Sequence, residues 1–185
     1  MRKPENRKWK VVSSEYILRE GAWCTVRREC VELPNGVRVP RWYIFEFPNW
    51  VNVIAVTREG NMVLISQYRH ALGDTYYELP AGVIDATDVS PLEAAQRELL
   101  EETGFGGGTW SEFMRTSPNP TNHTNLQYTF LAEGVERISA QQPEPSEDID
   151  VHIVPQAEVR EMLEQGGFVQ ALHMAPLWRY FAIKQ

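Results

Sequence analysis

Between Gly82 and Phe105 the chain reads GVIDATDVSPLEAAQRELLEETGF, which holds six acids (Asp85, Asp88, Glu93, Glu98, Glu101 and Glu102) against one base, Arg97. On a helix, Glu98 and Glu102 are four apart and share a face, and Glu101, three from Glu98, lies on the same broad side. Carboxylates crowded in this way repel one another unless a cation lies between them. A cluster of hard oxygen donors on one helical face is what Mg²⁺ or Mn²⁺ requires. The same spacing also fits a solvated acidic helix in which Arg97 pairs with Glu93 or Glu101 at four-residue separation.

The elements that must position these side chains are partly legible. Ser90 to Thr103 is predicted to be a helix: Ser90 can cap it, Pro91 suits its first position, Glu93 completes a capping box, and Gly104 ends it. Val51 to Val56 and Met62 to Ile65 flank Arg58-Glu59-Gly60-Asn61 as a hairpin, and Tyr76 to Leu79 reads as a short strand ending at Pro80. Residues 9–47 read as strands and turns around Pro34-Asn35-Gly36. Further strands are expected at Leu126 to Ala132 and at Ile149 to Val154. Pro155 to Gln165 reads as a helix closed by Gly166-Gly167. Phe168 to Ile183 has helical apolar spacing that Pro176 is expected to kink or break. Ser139 to Asp148 is a Gln-, Pro- and Glu-rich exposed loop. Composition and periodicity therefore reach a mixed α/β fold and no further.

The chain has 185 residues, 43% of them apolar and 23% charged, which excludes disorder and collagen-like repeats. No apolar run approaches the roughly 18 residues of a membrane span. The net charge is −7, a poor match for nucleic acid, whose binding rests on phosphate neutralisation. That charge is uneven: residues 1–48 hold ten Lys and Arg against six Glu, a net of +4, which leaves −11 on the remainder. Cys24 and Cys30 are too far apart along a strand to bridge, and Met1-Arg2-Lys3 leads into no apolar signal region. A reducing cytoplasm is the expected setting.

Arg97-Glu98-Leu99-Leu100-Glu101-Glu102-Thr103-Gly104-Phe105, preceded by Gly82, resembles the signature box of the Nudix hydrolase family and covers its full R-E-U-x-E-E-x-G-U half, where U is bulky and apolar. The first half departs from the family. Gly82 to Arg97 is one residue too long, and the expected loop-supporting glutamate falls on Val89 or, with the gap moved, on Asp88. The resemblance implies an α/β fold of the Nudix type, an α-β-α sandwich with a mixed sheet, plus an N-terminal antiparallel strand layer. It also implies metal-dependent hydrolysis of a nucleoside diphosphate linked to another group. Glu98 and Glu102 would be the principal ligands of Mg²⁺, with Mn²⁺ as an alternative. Glu101 would be shared between metal binding and water activation, and the carbonyl of Ala81 would be a further ligand.

Gln67-Tyr68-Arg69, the run from Tyr77 to Asp85, and Ser146 to His152 resemble the ADP-ribose pyrophosphatase branch. That likeness implies a loop general base, for which Glu147 is the nearest match and Glu144 its neighbour. Arg69 and Glu78 are implied as substrate contacts, although pairing with each other is a competing role. Ser117-Pro118-Asn119-Pro120 stands where the branch carries a proline-containing loop with Gly after the Pro; Asn119 and the polar run through His123 to Asn125 depart from that form. The branch further implies a strand layer at residues 1–48 exchanged between two subunits, a hydrolase domain at 49–185, and Arg41 and Trp42 placed to meet a nucleotide. The expected activity is cleavage of ADP-ribose or a related nucleoside diphosphate sugar by a homodimer, with neither nucleic acid nor membrane as partner. Another sugar nucleotide such as GDP-mannose, or a non-catalytic sensing module, are the alternatives.

Overall fold

The computed structural model describes residues 4–184, which form two compact units: residues 4–48 with 117–125, and residues 49–116 with 126–184. Arg2 and Lys3 of the basic segment lie outside the described residues.

The first unit is an antiparallel sheet of β1 (Lys10–Arg19), β2 (Thr25–Glu32) and β3 (Arg38–Glu46), in that order. Its turns use Gly21 and Gly36 at positive φ, which an L side chain rarely adopts. All ten residues of β1 are exposed, among them the apolar Val11, Val12, Ile17 and Leu18. The proline-containing loop joins this unit. Phe45 donates its N–H to the Asn122 carbonyl (2.8 Å) and accepts from the Thr124 N–H (3.1 Å).

The second unit is an eight-stranded mixed sheet. Its path runs β11 (Ile149–Pro155), β5 (Asn61–Arg69), β4 (Trp50–Thr57), β10 (Gln127–Arg137) and β8 (Phe105–Gly106). β6 (Asp74–Glu78) pairs with β5, β7 (Ala81–Val83) with β4, and β9 (Thr109–Thr116) with β10. β4 and β10 run parallel. Side-chain alternation along β4 builds two cores. Val51, Val53 and Ala55 face α1 (Pro91–Thr103) with Ala94, Ala95 and Leu99, while Ile54 and Val56 face α2 (Gln156–Glu164) and α3 (Ala171–Ile183) with Leu163, Leu177 and Tyr180. The unit is thus an α-β-α sandwich. No described helix is long and apolar enough to cross a membrane.

Three expectations change. The β4–β5 hairpin closes only at Ala55↔Val63 and Val56↔Met62, because the rest of β4 pairs with β7 on that side and with β10 on the other. Glu93 accepts from the Val89 N–H (2.6 Å) rather than from that of Ser90; the extended Ser90 brings the preceding amide within reach, while its own hydroxyl caps Glu93 N (3.2 Å). Pro176 lies inside an uninterrupted α3. Proline has no N–H for the carbonyl four residues back, and that carbonyl, Leu172 O, instead accepts from the side chain of the fully buried Asn52 on β4 (2.9 Å).

Replacing Asn52 by Leu leaves the Leu172 carbonyl unpaired, so chemical denaturation should show a loss of about 1–3 kcal/mol. In a Pro176→Ala background the restored N–H takes over the carbonyl, and the same replacement should cost less.

Candidate active site

Arg97 is the centre of the site, and its placement begins with two local elements. Helix α1 is started by Ser90 and Pro91 and stopped by Gly104 in the left-handed conformation (φ 74°), whose N–H bonds Leu100 O (2.8 Å). Strand β7, paired to β4, carries Gly82 to the side of α1. Arg97 reaches back to the loop between them. Its Nε donates to Asp88 Oδ1 (3.1 Å), Nη2 to Asp88 Oδ2 (2.9 Å) and Val83 O (3.0 Å), and Nη1 to Glu98 Oε1 (2.9 Å) and Glu101 Oε2 (3.0 Å). Of the two pairings the sequence left open, Glu101 takes the guanidinium and Glu93 serves the helix cap. The Asp88 carboxyl, held by Arg97, titrates below the usual carboxylate range.

Glu98 and Glu102 are both buried. The Glu98 carboxyl lies against the Gly82 α-carbon, where a β-carbon would overlap it, so glycine here provides room. Burial pushes Glu98 up to about 7, against the pull of Arg97 and with added repulsion from Glu101 and Glu147. Glu102 is only 3% exposed and accepts from the Ala81 N–H (2.9 Å). Burial raises it well above the carboxylate range; Ala81 N–H and Arg69 oppose that, and Glu98 and Glu147 add to it. Glu147 therefore lies in electrostatic reach of both carboxylates. Its own carboxylate accepts from Glu144 N (2.9 Å), and Glu147 N returns a bond to Glu144 O (2.9 Å), which closes the loop tip. The loop is tied to α1 by Gln142 N on the Glu101 carbonyl (2.8 Å).

Among the described residues, no three His, Cys, Asp or Glu side chains converge as a ready-made metal cluster. Arg97 lies between Glu98 and Glu101, and Glu102 faces Ala81. The donor set nevertheless fits a hard divalent cation: two buried, mutually repelling carboxylates gain most from an added positive charge.

Arg69 and Glu78 are paired with each other. Arg69 Nε donates to Glu78 Oε1 (2.7 Å) and Nη2 to Oε2, with Glu78 buried and Arg69 partly exposed. Beneath them His173, lowered to about 4 by complete burial, accepts the Leu79 N–H on Nδ1 (2.8 Å) as a neutral ring. Arg41 is exposed on β3 of the first unit, where Trp42 packs edge-on against Trp9 at 5.1 Å. Sequence reading missed His173 and Asn52. For Asn52 the signal was present, one amide inside the apolar run Val51 to Val56.

A family model for the NUDIX domain matches residues 47–175. The chain belongs to the Nudix hydrolase family. A second model, the nucleoside diphosphate sugar hydrolase N-terminal domain, matches residues 9–45. The chain is 30% identical to an ADP-ribose pyrophosphatase of Mycobacterium tuberculosis over 176 residues, 95% of this chain and 84% of that protein. It is 36% identical to an ADP-ribose pyrophosphatase of Bacillus subtilis over 105 residues, 57% of this chain and 56% of that protein. A crystal structure of an ADP compounds hydrolase superposes with a TM-score of 0.83 at 23% identity, covering 99% of this chain and 98% of the other, a likeness of fold. As a Nudix hydrolase the chain keeps the acidic half of the box and departs at Val89 and Asp88.

A Gly82→Ala change in this hydrolase should displace the Glu98 carboxyl while leaving the fold intact, since the group that must move is the end of a flexible side chain. Turnover should fall by about 100-fold, the scale of an ångström-sized misplacement, with the circular dichroism spectrum unchanged.

Proposed function

We propose that this Nudix hydrolase cleaves the pyrophosphate link of ADP-ribose, or of a closely related nucleoside diphosphate sugar, to a nucleoside monophosphate and a sugar phosphate. The carrying observation is the buried Glu98–Glu102 pair, whose ionisation burial and mutual repulsion oppose. Likeness to an ADP-ribose pyrophosphatase along 95% of the chain supports the choice of substrate.

Glu98, Glu102, Glu101 and the carbonyl of Ala81 would hold Mg²⁺, or Mn²⁺ in its place, which supplies neutralisation of the bridging phosphates and acidifies water. Glu147 accepts the proton as water forms the new oxygen–phosphorus bond and the bridging oxygen leaves with the other phosphate; Glu101 is the second candidate for that proton. Arg69 pairs with a substrate phosphate through its exposed edge, and Glu78 holds it in place. Arg41 and Trp42 meet the nucleotide by charge and by ring contact. The N-terminal strand layer, residues 1–48, serves as the dimerisation element of a homodimer, and residues 49–185 serve as the hydrolase domain. The exposed apolar run of β1 supports that assembly. The unbridged Cys24 and Cys30 suit a cytoplasmic setting.

A different sugar, as in GDP-mannose, is the second reading. It is favoured by the polar loop, in which neither side-chain atom of Asn125, 2% exposed, has a hydrogen-bond partner.

Purified protein with Mg²⁺ should release AMP from ADP-ribose, and Glu102→Gln should lose nearly all of that rate. Equal rates for the two proteins contradict the metal assignment. A higher kcat/KM for GDP-mannose than for ADP-ribose replaces the first substrate by the second.

A further inference from the structure

His173 stands on the inner face of α3, four residues before Leu177 and seven before Tyr180, both of which belong to the core shared by the sheet, α2 and α3. Apolar spacing alone would put a leucine there. The imidazole answers a specific need instead. Leu79 and Pro80 fall in the break between β6 and β7, and the Leu79 N–H at that break donates to His173 Nδ1 (2.8 Å). The first turn of α3 is tied to the same corner from the other side. Asn52 on β4 is the register partner of Ala81, and its side chain bonds the carbonyl of Leu172, the residue before His173 (2.9 Å). The Val53 N–H donates to Pro80 O (2.9 Å).

A ring nitrogen that accepts a hydrogen bond carries no proton, so the imidazole proton is on Nε2. Nε2 lies 3.9 Å from Glu78 Oε2, with the two side chains only 4% and 3% exposed. That separation exceeds a hydrogen bond, but an N–H dipole aimed at a carboxylate is little screened in so dry a place. The same carboxylate grips Arg69 with both oxygens, and Arg69 lies in electrostatic reach of Glu102 and Glu147. We infer that His173 is a positioning residue for Arg69: one imidazole fixes the strand end that carries Glu78 and, through Nε2–H, the carboxylate that aims the guanidinium. Resting on the reading of Arg69 as a contact to a substrate phosphate, this gives the first turn of α3 control over substrate affinity rather than over the chemical step. His173 acts through Glu78 and Arg69.

Two substitutions separate the two contacts. His173→Asn keeps an acceptor where Nδ1 stands and has nothing at Nε2, whereas His173→Gln keeps a donor where Nε2 stands and leaves the Leu79 N–H unanswered. With ADP-ribose and Mg²⁺, His173→Asn should raise KM about 10-fold with kcat little changed, the scale of a weakened bond to a charged group. Its thermal midpoint should stay close to that of wild type. His173→Gln should recover most of the substrate affinity while its midpoint falls, because a buried N–H is left unpaired. A merely structural role gives the reverse order, with KM following stability. In an Arg69→Ala background, His173→Asn should raise KM no further. The Nε–H resonance of Arg69, assigned by its loss in Arg69→Ala, is read without substrate, and its exchange with water should be about 10-fold faster in His173→Asn. Wild-type KM and exchange in His173→Asn, or an equal rise in KM when Arg69 is already absent, overturns the inference. An Arg69→Ala protein with unchanged KM contradicts the phosphate-contact reading instead, and the exchange measurement then decides whether His173 holds the pair.

Discussion

Everything at the acidic end of this fold depends on how one guanidinium is shared. Arg97 meets five acceptors drawn from the loop after β7 and from α1, and it is the one cation among the acids of residues 82–105. Two of those acids, Glu98 and Glu102, are buried at a cost that a single positive charge does not cover, which is why both titrate high. A buried charge without sufficient compensation is a liability for stability. It is also the means by which a site gains affinity for a divalent cation.

The scaffold keeps this liability local. β4 buries apolar side chains on both faces, with α1 over one and α2 with α3 over the other, so the strand that carries β7 alongside it cannot shift without disturbing two cores. Two backbone groups of this framework are answered by its side chains. Asn52 fills the hydrogen bond that Pro176 cannot make, and a neutral His173 holds the Leu79 N–H. The backbone from Leu79 to Gly82 is thereby held on both sides, by His173 and by Glu102.

Local chemistry was the legible part. Helix α1 could be read because its cap, first-turn proline and terminal glycine lie within the segment they control. The acidic face could be read for the same reason. Pairings between distant residues could not. The parallel register of β4 with β10 joins Trp50 to Gln127, and the bond that keeps α3 whole joins Asn52 to Leu172, 120 positions away. β9 escaped notice because Thr109 to Thr116 mixes polar and apolar residues, as an outer strand does, with no long apolar alternation. At the site, spacing offered Glu93 and Glu101 as partners for Arg97. The gap in the box left Val89 and Asp88 as alternatives for the loop acid, and the folded loop puts the Asp88 carboxylate on Arg97.

Glu98 and Glu102 are proposed as a divalent-cation site oriented by Arg97. The most direct measurement is an anomalous-scattering map from crystals soaked in Mn²⁺. A strong peak should be bound by the Glu98 and Glu102 carboxylates beside Ala81, with Arg97 still held by Asp88. Crystals that take up no Mn²⁺ there, or bind it only at other carboxylates, would contradict it.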